Sequence, residues 1–146
     1  MKKYKIGFIG IGLMGAPMAK NLLKSKYQVK VFNRTMHKAV SLKKYGAKVC
    51  ATLSEVVSDQ DLLFTMLSDD KAINKIYYNA EFLKNLKKGS TVIDMSSANP
   101  KTALSLSKLL KKHKVSFLDA PVSGGTNGAE NAELAIMVGG EKKVFI

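Results

Sequence analysis

Residues 5–24, KIGFIGIGLMGAPMAKNLLK, constrain the fold more than any other stretch of the chain. Apolar Ile6, Phe8 and Ile9 read as a short buried strand. Gly10, Gly12 and Gly15 follow in the pattern G-x-G-x-x-G. A helical run comes next, with Met14, Met18 and Leu22 four residues apart on one face. Strand, glycine turn and helix in that order are the pattern of a dinucleotide-binding unit. Gly10 permits the tight turn off the strand, Gly12 lets backbone approach a pyrophosphate, and Gly15 lets the helix pack close to the sheet. The helix start then offers unpaired N–H groups and a positive dipole end to the phosphates. Pro17 fits there, because a residue of the first turn has no intrahelical partner for the N–H that proline lacks. Gly10, Ile11, Gly12, Leu13, Met14 and Gly15 are therefore candidate cofactor contacts.

The segment after the helix bears on which dinucleotide is bound. QVKVF, residues 28–32, predicts a second strand ending at Asn33-Arg34-Thr35, with Asn33 twenty-three residues after Gly10. A site for NAD places Asp or Glu about 20 residues on, to bind the ribose hydroxyls. Asn33 is neutral, and Arg34, the only arginine of the chain, comes next. A carboxylate would repel a 2′-phosphate, whereas Arg34 can pair with it and Thr35 can donate a hydroxyl. Such a charge-assisted contact is worth roughly 1.5–3 kcal/mol. NADP is expected in preference to NAD.

The rest of the chain alternates strand and helix patterns. A helix is expected over residues 36–45, ended by Gly46, and a strand over 47–50. Thr52 or Ser54 caps a helix through Val57. Residues 61–67 form a nearly continuous apolar run, as a parallel strand covered on both faces would. Ser68, Asp69 and Asp70 begin another helix, and residues 79–88 lead to a turn at Gly89. A strand over 90–95 gives way to Ser96-Ser97-Ala98-Asn99-Pro100 and a helix to about Lys112. A sixth strand over 115–118 runs into a glycine-rich loop, and residues 133–138 form a last strand. This alternation predicts βαβ units and a Rossmann-type, doubly wound, mainly parallel sheet in a single α/β domain spanning residues 1–146. In such sheets ligands bind beyond the carboxyl ends of the strands. Residues 10–15, 66–68, 96–98 and 123–125 all fall there.

Composition excludes more than it assigns. No apolar run of the 146 residues approaches the roughly 18–20 that a membrane span needs. The opening MKKYKIGFIGIGLMG fits a first strand better than a signal peptide, because of its glycines and the amphipathic helix behind it. Cys50 has no cysteine partner and is expected to be a small buried hydrophobe, and a cytoplasmic location follows. The net charge of +13 rests on lysines scattered along the chain, several at expected helix ends. That reads as a solvated surface rather than a nucleic-acid face, which would favour arginine. His37 lies near an exposed helix start with no partner for catalysis, and no metal site is expected.

Four segments, FIGIGLMGAPMAKNL, TMLSDD, DMSSANP and DAPVSGGTNGAE, together resemble the β-hydroxyacid dehydrogenase family over essentially all 146 residues. That family includes 3-hydroxyisobutyrate dehydrogenase, tartronate semialdehyde reductase and the glyoxylate/succinic semialdehyde reductases, and the last segment is the most specific match. The resemblance implies that residues 10–15 hold the pyrophosphate and that Met66, Leu67 and Ser68 run past the nicotinamide ribose. It implies that Ser97 contacts the cofactor where the family usually has threonine. Ser123, Gly124 and Gly125 would bind the carboxylate of a small substrate, and Asp119 would fix that loop by hydrogen bonds. Asn33-Arg34-Thr35 resembles the pattern of NADP-preferring members. The family's catalytic lysine, and the asparagine that assists it, lie beyond the point where this chain ends. So does its all-helical second domain, which usually makes a homo-oligomer. The expectation is an NADP-binding domain of an oxidoreductase that moves a hydride between NADP(H) and a small β-hydroxyacid or carboxylated aldehyde. No catalytic residue is expected within residues 1–146, and the chain alone is expected to bind cofactor without efficient turnover. An imine reductase-like relative is one alternative. A non-catalytic Rossmann module for oligomerisation or nucleic-acid binding is another.

Overall fold

Parallel strands need crossover connections, and here each crossover carries a helix or helical turn that covers the sheet. The computed structural model describes residues 3–146. Its main strands are β1 (Lys5–Ile9), β2 (Gln28–Phe32), β3 (Lys48–Val49), β4 (Leu62–Thr65), β5 (Thr91–Asp94) and β6 (Ser116–Asp119). They lie in the order β3-β2-β1-β4-β5-β6, and every neighbouring pair is parallel. The connecting helices are α1 (Gly15–Lys24), α2 (Met36–Val40), α3 (Leu53–Val57), α4 (Asp70–Tyr77), α5 (Ala80–Asn85) and α6 (Pro100–Lys112). The doubly wound parallel sheet expected from the sequence is the one observed.

Side chains alternate across the sheet with period two, which divides the core. On one face Ile6, Phe8, Val29 and Val31 pack with Met18, Ala19 and Leu23 of α1. Phe8 and Phe64 stack there with ring centroids 5.9 Å apart. On the other face Leu63, Val92 and Phe117 pack with Ile73 and Tyr77 of α4, Phe82 of α5 and Leu106 and Leu110 of α6. The 61–67 run is narrower than expected as a strand and is not equally covered. Leu63 and Thr65 are buried, whereas Leu62 and Phe64 on the opposite face are half-buried.

Four local expectations are corrected. The helix over 36–45 ends at Val40, and a 3₁₀ turn at Lys43–Tyr45 precedes Gly46. Ser41 causes the break, because its Oγ donates back to the Lys38 carbonyl at 2.6 Å and competes with the helical ladder. Residues 79–88 contain a helix of their own, α5. Asn79 starts it, its Oδ1 accepting from the N–H groups of Glu81 at 2.8 Å and Phe82 at 3.3 Å. The strand over 47–50 shortens to β3, and Cys50 lies just past it, fully buried, with its thiol pushed up by that burial. The strand over 133–138 shortens to β8 (Ala135–Ile136). It pairs antiparallel with β7 (Val122–Ser123), apart from the main sheet. Helix α7 (Gly125–Glu130) lies between them, and α8 (Lys142–Phe145) follows. The expected caps form: Thr52 accepts from Glu55 N–H at 3.2 Å and Asp69 from Ala72 N–H at 2.7 Å. Among the described residues, no helix is long and apolar enough to cross a membrane.

Candidate functional site

Strand register lines up the candidate loops. Phe32, Ile9, Thr65, Asp94 and Asp119 are successive partners across β2, β1, β4, β5 and β6. The ladder continues one residue past this row on its carboxyl side. Gly10 N–H donates to Phe32, Met66 N–H to Ile9, Met95 N–H to Thr65 and Ala120 N–H to Asp94, at 2.8–3.0 Å. The loops therefore leave the sheet from one carboxyl rim. Strand order reverses between β1 and β4, the position where a crevice opens in sheets of this type.

The glycine turn occupies one side of that crevice. Gly10 has φ 102°, and a Cβ there would run into the Met66 carbonyl oxygen. A Cβ on Gly15 would run into the Gly10 carbonyl oxygen, so α1 could not sit so close to the turn. A Cβ on Gly12 would meet nothing within 4 Å, which leaves open space above the loop. No hydrogen bond to a described residue engages the N–H groups of Gly12, Leu13 or Met14. Leu13 itself is 85% exposed, and Pro17 is the third residue of α1. Free N–H groups, open space and a helix start together fit a diphosphate.

Asn33 joins this turn to the end of β2. Its Oδ1 accepts from the buried Ile11 N–H at 2.8 Å, and its Nδ2 donates to the Thr35 carbonyl at 3.0 Å. Arg34, between them in the chain, is exposed and makes no hydrogen bond or ion pair with a described residue. Thr35 precedes α2, and its hydroxyl caps nothing.

Across the crevice, the loop after β4 is held from below. Leu67 N–H donates to the buried Ser96 Oγ at 2.8 Å, while Ser97 beside it is exposed. Ser96 Oγ donates in turn to Asp94 Oδ1 at 2.7 Å, and Ser96 N–H does so at 3.2 Å. Thr65 Oγ1 donates to the same oxygen at 2.8 Å, and the Tyr77 hydroxyl lies 2.7 Å from Thr65 Oγ1. Burial pushes the Asp94 carboxyl above the usual aspartate range. Burial and then the charge of Asp94 do the same to Asp119. Sequence reasoning passed over Thr65, Tyr77, Asp94 and Ser96. The readable signal was an aspartate ending an apolar strand, since acids are rarely fully buried without a partner.

The third loop lies at the end of β6. Gly124 and Gly125 have φ 139° and 63°, and both are exposed, as is Ser123. Asp119 ties this region down by its backbone rather than by the side-chain bonds expected of it. Its N–H and C=O exchange hydrogen bonds with Gly139 at 2.9 and 2.7 Å, while its Oδ1 is buried without a partner. Asn21 of α1 donates from Nδ2 to the Ala129 carbonyl of α7 at 2.7 Å, which seats the loop beside the glycine turn.

Comparison with known proteins agrees with this geometry. A family model described as the NAD binding domain of 6-phosphogluconate dehydrogenase matches residues 5–146. YkwC of Bacillus subtilis, an uncharacterised oxidoreductase, is 40% identical over 146 residues, covering 99% of this chain and 50% of that protein. The 2-(hydroxymethyl)glutarate dehydrogenase of Eubacterium barkeri is 38% identical over 145 residues, covering 99% and 48%. Among solved structures, a Mycobacterium tuberculosis 3-hydroxyisobutyrate dehydrogenase with L-serine superposes with TM-score 0.94 at 33% identity, over 99% of this chain and 49% of that one. A Myxococcus stipitatus imine reductase in complex with NADP+ superposes with TM-score 0.80 at 25% identity, over 85% and 43%. The chain spans about half the length of the curated relatives it matches.

Proposed function

The chain belongs to the family of the NAD binding domain of 6-phosphogluconate dehydrogenase, and we propose that it binds NADP(H) as the cofactor half of a reductase of small hydroxyacids or carboxylated aldehydes. The observation that carries this reading is the open glycine turn tied by Asn33 to a segment presenting an exposed arginine. Gly12, Leu13 and Met14 offer N–H groups to the pyrophosphate. Arg34 and Thr35 offer a guanidinium and a hydroxyl to a 2′-phosphate, and no carboxylate stands at this position to repel it. Met66, Leu67, Ser68 and Ser97 border the nicotinamide side. Ser123, Gly124 and Gly125 offer a hydroxyl and backbone N–H groups to a substrate carboxylate.

NADP(H), when bound, supplies or accepts a hydride. A carbonyl that accepts one also needs a proton donor at its oxygen. Among the described residues, the acids that end β5 and β6 are Asp94 and Asp119, held within or beneath the loops rather than presented on them. On this reading the 146-residue chain acts as a cofactor-binding unit with little turnover of its own. The names of the relatives favour a hydroxyacid substrate. The imine reductase neighbour gives the second reading, against which the exposed Ser123-Gly124-Gly125 loop weighs as an anion site rather than an amine site.

Gly12→Val tests the reading. The open surroundings of Gly12 let this variant fold, and its branched side chain fills the space a pyrophosphate needs. Saturable enhancement of NADPH fluorescence by the wild type, abolished in Gly12→Val at unchanged far-UV circular dichroism, is expected. Equal binding by both proteins contradicts it.

A further inference from the structure

Five polar groups lie beneath the cofactor loops without a part in the reading above: Thr65, Tyr77, Asp94, Ser96 and Asp119. Their hydrogen bonds have only one consistent direction. Leu67 N–H occupies Ser96 Oγ as an acceptor, and the Ser96 proton goes to Asp94 Oδ1. The Thr65 proton goes to the same oxygen, so the Tyr77 hydroxyl donates to Thr65. Three donors therefore converge on Asp94 Oδ1, and none reaches Oδ2, which is buried without a partner on a residue 1% exposed.

Asp119 stands opposite Asp94 in the parallel ladder, so both side chains leave the same face of the sheet. Its Oδ1 is also buried without a partner. Two neighbouring carboxyls, one on a residue 1% exposed and the other half-buried with one oxygen shut off from water, cannot both ionise cheaply. One hydrogen atom held between the two orphaned oxygens would satisfy both. We propose that Asp94 Oδ2 and Asp119 Oδ1 share a proton, and that Asp94, acting through Ser96, is a positioning residue that fixes Leu67 N–H in the loop bordering the cofactor.

The surroundings favour the shared proton. The titratable groups facing the pair are Tyr77 and Asp70 of α4. The Tyr77 hydroxyl is committed to Thr65, and Asp70 Oδ1 accepts from Asn99 N–H at 3.0 Å. Among the described residues, no lysine, arginine or histidine hydrogen-bonds or ion-pairs with either carboxyl. Both carboxyls are raised above the ordinary aspartate range by burial, and Asp119 also by the charge of Asp94. A proton held in this way belongs to the pair rather than to either residue.

The importance of Leu67 for binding rests on the cofactor reading, whereas the proton sharing does not. The test uses the 146-residue chain and three variants. Asp94→Asn keeps an acceptor for Ser96 and Thr65 and presents an N–H toward Asp119, so it imitates the protonated acid. It is expected to hold NADPH within about twofold of wild type, whereas Asp94→Ala and Ser96→Ala weaken it about tenfold. Carboxyl ¹³C resonances of wild type should show one of the two aspartates still protonated above the ordinary range. Leu67 amide exchange should accelerate in Ser96→Ala. Titration of both carboxyls in the ordinary aspartate range overturns the proposal, as does equal weakening in Asp94→Asn and Ser96→Ala, the comparison that stands even if Asp94→Ala does not fold. If the wild type binds neither NADPH nor NADH, the cofactor reading falls by itself. Leu67 exchange then decides: faster exchange in Ser96→Ala upholds the positioning role, and unchanged exchange refutes it.

Discussion

Replacing Asn33 by alanine removes the clasp between the glycine turn and the end of β2. Ile11 is 1% exposed, so its N–H would lose the 2.8 Å bond to Oδ1 with no water to replace it. Leaving such a donor unsatisfied costs about 1–3 kcal/mol, and the lost Nδ2 bond to the Thr35 carbonyl adds about 0.5–1.5. Asn33→Ala should therefore destabilise the chain by about 2–4 kcal/mol, a large share of the roughly 5–15 kcal/mol expected of a domain. Asn33→Asp keeps the acceptor for Ile11 and loses only the donor toward Thr35. It should cost about 1 kcal/mol. The new carboxylate would also shift nucleotide preference from NADPH toward NADH, because it repels a 2′-phosphate and accepts from ribose hydroxyls. Urea unfolding read by circular dichroism gives the stability of each variant. Nucleotide titrations of the same samples give the preference. An Asn33→Ala variant within about 0.5 kcal/mol of wild type, the range of an ordinary surface change, would refute the clasp.

Gly15→Ala should prevent α1 from seating against the turn, since the added Cβ meets the rigid Gly10 carbonyl. A loss of at least about 1–3 kcal/mol by urea unfolding is expected, and a neutral result would contradict the close approach. Stability should also depend on pH through the buried aspartates. Their folded-state values are raised, so the stabilisation they give is full below the unfolded aspartate value and is lost as pH rises through the raised one. Asp119→Asn should therefore lose less stability than wild type over that rise, and parallel profiles would show that the pair does not titrate as argued.

The fold was legible because its signals are local. β1, the glycine turn and α1 are contiguous in sequence, and the caps at Thr52 and Asp69 announce their helices within three residues. The hydroxyl of Ser41 and the amide of Asn79 act over equally short distances. Yet a serine or an asparagine interrupts a helical pattern only when its side chain takes a backbone partner, and composition does not reveal that choice. The glycine turn and Asn33-Arg34-Thr35 could be read as neighbours from the spacing of the motif. The clasp itself could not, because Asn33 meets Ile11 across 22 residues. The network below the loop after β4 was hidden for a similar reason. Thr65 and Asp94 are 29 residues apart, as are Leu67 and Ser96, and they meet only through strand register. The sequence directed attention to Ser97, which is exposed, rather than to Ser96, which is buried one residue earlier. The ribbon of β7 and β8 is not legible, because residues 133–138 read as one longer strand and Val122 and Ser123 as loop, and two-residue strands carry no periodicity of their own.

In the proposed function the turn after β1 binds a diphosphate while Arg34 selects the phosphorylated adenosine. Side-by-side calorimetric titration of wild type and Arg34→Ala with NADPH and NADH tests it most directly. Wild type should bind NADPH at least about tenfold more tightly than NADH. Arg34→Ala should lose this preference while its NADH affinity stays unchanged. Equal affinities in the wild type, or a preference that survives in Arg34→Ala, would contradict it.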